Sequence, residues 1–60
     1  MACPEYFVAT VFRGRRQFDR REAATLEEAC VQAAELYEDR PIMIYAVAGA
    51  DQVMLGTWRP

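Results

Sequence analysis

Two short runs of this chain carry apolar side chains at almost every position: Glu-Tyr-Phe-Val-Ala-Thr-Val-Phe at residues 5–12 and Ile-Met-Ile-Tyr-Ala-Val-Ala at residues 42–48. β-Branched and aromatic residues dominate both, which is the composition of a strand. A strand with one wet face alternates apolar with polar residues, because successive side chains point to opposite faces. Neither run alternates, so both belong in the interior of a sheet. The rest of the chain has to supply the edges and the cover.

An edge follows directly after the first run. Arg13-Gly14 offers a two-residue turn, since glycine takes the positive φ that tight hairpins need. Residues 15–22 then return with charged side chains around a single large apolar one, Phe18. Charges of this kind discourage further strand pairing. After the second run, Gly49-Ala50-Asp51-Gln52 reads as a turn and Val53–Trp58 as a last strand.

The cover lies between the two hairpins. Thr25 is an N-cap and Glu28 stands three residues on, the capping-box arrangement that satisfies otherwise orphan N–H groups. Leu26, Ala29, Cys30, Ala33, Leu36 and Tyr37 follow the i, i+3, i+4, i+7 spacing of one buried stripe, with Glu28, Gln32, Glu35 and Asp39 opposite. Small residues in the middle of the stripe predict a helix lying close to the sheet. Arg40 complements the helix dipole at its end, and Pro41 turns the chain out. The order β-β-α-β-β predicts a single α+β domain over residues 1–60. Its architecture is a four-stranded antiparallel sheet, strand order 2-1-3-4, with one helix packed on one face.

Strand parity then divides the interior runs. Phe7, Ala9 and Val11 with Ile42, Ile44, Ala46 and Ala48 face the helix; Tyr6, Val8, Thr10 and Phe12 with Met43, Tyr45 and Val47 face the other way. No element is left to cover that second face. A domain of sixty residues buries only about 60% of its unfolded surface, and such domains lean on disulfides, metals or oligomerisation. The hydrophobic share is 53% without glycine, above a globular norm of about 45–50% that includes it. A folded domain rather than disorder is therefore expected, and with it a shared interface. Its residues are Tyr6, Val8, Phe12, Met43, Tyr45 and Val47, and its partner is another protein, most economically a second copy.

Chemistry is sparse. The chain has no histidine and no lysine, so the general bases near neutral pH reduce to carboxylates and thiolates. The carboxylates gather on the outer face of the helix, and no nucleophile–base pair can be assembled. Three separated glycines do not make a phosphate-cradling loop. Cys3 and Cys30, without histidine, do not make a zinc site and read as free thiols of a reducing compartment. The expectation is a non-enzymatic regulatory or accessory protein with no cofactor and no metal. The longest stretch without charge, Pro41–Ala50, is far short of the ~20 residues of a membrane span. No basic segment precedes an apolar run as in a signal peptide, so a cytoplasmic location is expected.

Net charge is only −2, which gives no strong general pull toward nucleic acid or membrane. The distribution is uneven. Every basic residue is arginine, which fits a GC-rich bacterial or phage genome, and Arg13, Arg15, Arg16, Arg20 and Arg21 lie in one stretch. The acids Glu27, Glu28, Glu35, Glu38 and Asp39 follow in the next element. Arginine forks suit phosphates, and a two-stranded ribbon can enter a DNA major groove. The alternative reading is thus a nucleic-acid-binding module that uses Arg13, Arg15 and Arg16, with Tyr6, Phe12 and Tyr45 stacking bases on the sheet face.

Ala24-Thr25-Leu26-Glu27-Glu28-Ala29, placed after a hairpin, resembles the start of the helix in HicB-type antitoxins. The order of hairpin, arginines and a helix opening at Thr-x-x-Glu-Ala is also similar to the arm-binding domains of phage-type recombinases. The first family has a glycine-rich strand boundary that is missing here. The second has three strands and a helix, where this chain continues into a whole hairpin. No function is carried over from either.

Overall fold

The computed structural model describes residues 3–60. The chain runs β1 (Tyr6–Arg13), β2 (Arg16–Ala23), α1 (Leu26–Leu36), β3 (Ile42–Ala48) and β4 (Asp51–Trp58). All strands pair antiparallel in one sheet of order β2-β1-β3-β4, and α1 packs on one face. The two unalternating runs are the central strands, and the charged return strand is an edge. No helix among the described residues is long and apolar enough to cross a membrane.

Both hairpins close through two residues, Gly14-Arg15 and Gly49-Ala50. Glycine comes first in each, at φ 64° and 61°, the order found in type II′ turns, whose twist matches that of the strands. The first turn therefore sits one residue later than the Arg13-Gly14 expected, and Arg13 pairs with Arg16. The second is shorter than expected, because Asp51 and Gln52 already pair with Ala48 and Val47. The Glu5 carboxylate accepts the Gly49 N–H at 2.9 Å, and the Glu5 N–H donates to the Val47 carbonyl at 2.8 Å. These bonds tie the start of β1 to the second turn.

Each edge strand carries a bulge. Phe18 is the extra residue of β2, opposite the Val11–Phe12 step, and Leu55 that of β4, opposite Ile44–Tyr45. An extra residue of this kind bends the strand and interrupts its ladder.

Thr25 caps α1 as expected: its Oγ1 accepts the Glu28 N–H at 3.1 Å. The helix stops at Leu36, short of the Arg40 that was to complement its dipole, and its last turn holds no basic residue. Continuing would place Glu38 and Asp39 on the negative end of the dipole. Tyr37 instead turns extended, with ψ 127°, and lays its ring against Trp58.

The contact between the layers is made of small residues. Ala9, Ala29 and Ala33 are fully enclosed together with Ile42, so α1 lies close to the sheet. It does not lie centrally. Its packing is most extensive over β1, then β2, less over β3 and least over β4. On that side Arg21 approaches Glu35 at 4.0 Å and Gln32 at 3.4 Å, and Arg13 approaches Glu38 at 4.0 Å. The arginine-rich stretch and the acidic stretch that follows it thus partly face each other. The displacement uncovers the far flank of the helix. Leu26, expected in the buried stripe, is 46% exposed, and Cys30 is half-buried.

Candidate interaction face

The sheet face away from α1 is built in cross-strand rows. Tyr6 stands beside Val47 and Gln52; Val8 lies between Glu22 and Tyr45, with Met54 beyond; Thr10 lies between Arg20 and Met43, with Thr57 beyond; Phe12 stands beside Gln17. The residues expected on this face, Tyr6, Val8, Phe12, Met43, Tyr45 and Val47, are therefore brought together. Phe7, Ala9, Val11, Ile42 and Ile44 go to the helix side.

Exposure is graded across the face. Tyr6, Phe12, Met43 and Tyr45 are half-buried, while Val8 and Val47 are only 2% exposed. The two valines are thus already shielded within the chain. Thr10, on the same face, is fully buried, and its hydroxyl donates to the Asp19 carbonyl and accepts from Gln17 Nε2 at 2.7 Å. The apolar surface left for a partner is thus the two tyrosines, Phe12, Met43 and Met54.

A charged margin bounds the face along β2. Arg20 Nη1 donates to Glu22 Oε2 at 2.6 Å, and Nη2 reaches the Tyr6 hydroxyl at 3.5 Å. The hydrogen bond to Glu22, then that to Tyr6, raises the Arg20 pKa above its already high ordinary value. The sequence placed Arg20 only among the five arginines of one stretch and gave Glu22 no role on this face. Alternation in β2 places both on this face, but only the β1–β2 register shows that they stand beside Thr10 and Val8.

The arginines of the first hairpin do not act as one group. Arg13 lies over the Phe18 ring, 4.5 Å from its centroid, and points to Glu38. Arg15 and Arg16, at the turn, make no ion pair among the described residues. Between Arg13, Phe18, Asp19, Glu38, Asp39 and Arg40 lies a hollow of about 160 Å³ whose charges are of both signs.

A second apolar surface was not foreseen. The flank of α1 and the inner side of β4 form a shallow trough lined by Leu26, Cys30, Ile44, Leu55 and Trp58, with Leu55 49% exposed. The signal that could have found it is Gly56, since an isolated glycine in a strand often marks a bulge. Among the described residues, no three of the Cys, Asp and Glu side chains come together as a metal ion requires. No protein-family model, curated protein or solved structure matches this chain.

Proposed function

We propose that this chain is a small non-enzymatic regulatory or accessory domain that works by binding protein, and that its first partner is a second copy of itself. The observation that carries the reading is the shape of the molecule. It is a slab of 34 × 24 × 15 Å, one helix and one sheet thick, whose sheet presents an aromatic and methionine-bearing face with no second layer. The face spans at most 34 × 24 Å, which sets the upper bound of what it can bury near the about 800 Å² per partner of a standard stable interface.

Tyrosine suits such a face because its ring is buried while its hydroxyl reaches a partner or the rim. A two-fold interface needs only one self-complementary patch. Light scattering over a dilution series tests the proposal. The expected result is a dimer that falls to monomer on dilution, and a Tyr45→Glu variant monomeric throughout. Wild type that remains monomeric at high micromolar concentration overturns it.

A second reading, nucleic-acid binding, draws on Arg15 and Arg16 at the hairpin tip, which make no ion pair among the described residues. Duplex or single-stranded nucleic acid held by Arg13, Arg15 and Arg16 would be released steeply by salt. Micromolar binding at physiological salt, lost in the triple Arg→Ala variant, would promote this reading over the first.

A further inference from the structure

We infer that the second copy docks about a two-fold axis lying across the strands, between the Val8 and Thr10 rows, so that Arg20 and Glu22 exchange partners between chains. The inference rests on the dimer proposed above and specifies its geometry. Two sheets packed face to face run nearly aligned and about 10 Å apart. Two in-plane axes keep that alignment, one parallel to the strands and one across them. The distribution of charge on the face separates them.

An axis parallel to the strands lays each β2 over the second copy's β4. Glu22 and Arg20 would then stand over Met54 and Thr57, their counterparts in the same rows. Each margin would lose water with no charge opposite it, which is costly. An axis across the strands lays each element over its own counterpart, running the other way. Centred between the Val8 and Thr10 rows, it puts Glu22 of one copy over Arg20 of the other, twice. The same operation sets Tyr45 over Met43 and Tyr6 over Phe12, giving sulfur–aromatic and aromatic pairs. Arg20 and Glu22 already touch within one chain at 2.6 Å, so four charges of alternating sign close the β2 margin of the dimer. Their side chains are 35% and 56% exposed, and at such a rim charges set register and specificity more than affinity.

Charge reversal tests the axis. Arg20→Glu gives a chain with two acids on this margin, and Glu22→Arg gives one with two arginines. Circular dichroism melts verify that each still folds. Under the across-strand axis each variant alone places like charges opposite each other and self-associates about tenfold or more weakly than wild type. Mixed in equal amounts, the two form a heterodimer, detected by native mass spectrometry. Loss of the contact within one chain cannot be repaired by mixing. Should each variant alone dimerise as tightly as wild type, and the mixture give only the statistical share of heterodimer, the axis is wrong and the face dimer stands. A wild type monomeric at all concentrations overturns both.

Discussion

The ring of Tyr37 meets the ring of Trp58 edge-on, with centroids 5.9 Å apart and planes at 68°. The contact joins the residue where α1 ends to the last residue of β4, and closes one end of the helix–sheet layer. Along the trough that Trp58 also lines, Leu26 and Leu55 stay about half exposed. Trp58→Ala should therefore destabilise the fold by about 2–4 kcal/mol, less than for a fully buried ring because Trp58 is half-exposed. Tyr37→Ala should cost less, and the double variant less than the sum. Urea unfolding followed by circular dichroism measures all three; strict additivity would deny the coupling.

Thr25 holds the start of the helix through one hydrogen bond to Glu28. Thr25→Ala should lower stability by about 0.5–2 kcal/mol, and Thr25→Ser should retain most of it. An unchanged denaturant midpoint for the alanine variant would mean that the cap contributes nothing.

Thr10 is a polar residue with no exposed surface. Thr10→Val keeps the shape but strips the Asp19 carbonyl and the Gln17 amide of their shared hydroxyl. The loss should be about 0.5–1.5 kcal/mol, the net worth of a hydrogen bond whose remaining partners can turn to water. Gln17→Ala should cost much less, because Gln17 is exposed and water can replace it at the hydroxyl. Equal costs for the two would show that burial is not what makes this bond matter.

The strand order was legible because two runs lack alternation and one strand is charged. Those patterns reflect burial, which depends on side-chain chemistry alone. The helix position was not legible. Spacing places Leu26 on the apolar stripe, but only the packing of Ala9 against Ala29 and Ala33 decides which strands the helix covers. Nor could spacing place the helix end, since Glu38 and Asp39 act through the dipole rather than through periodicity. On the candidate face the aromatic residues followed from parity. The Arg20–Glu22 margin did not, because it depends on the register of β2 across a bulge.

The two turn glycines have open space where a Cβ would stand, so their requirement is one of backbone alone. Gly14→Ala and Gly49→Ala should each lose about 1–2 kcal/mol from the positive φ. Asparagine, which tolerates that region better, should lose less at both. If alanine and asparagine proved equally costly in thermal melts, the turns would have relaxed to another conformation.

The two edges of the sheet are protected by different means. β2 carries Arg16, Asp19, Arg20, Arg21 and Glu22, whereas β4 has no charge between Asp51 and its end at Trp58. Val53, Met54 and Leu55 are all about half exposed or more. An uncharged apolar edge invites pairing with another chain, and the feature that interrupts it here is the bulge at Leu55. Deleting Leu55 leaves Met54 opposite Tyr45 and Gly56 opposite Ile44, so the ladder becomes regular and later residues keep their partners. The deletion variant should fold, with a circular dichroism spectrum like that of wild type, yet form thioflavin-positive aggregate at concentrations where wild type stays clear. Val53→Lys added to the deletion should suppress that aggregation, because a lysine on an edge opposes strand addition. In the wild-type background the same substitution should change stability by no more than about 0.5 kcal/mol, as expected at an exposed site. A deletion variant that folds and remains as soluble as wild type would show that the bulge does not protect this edge.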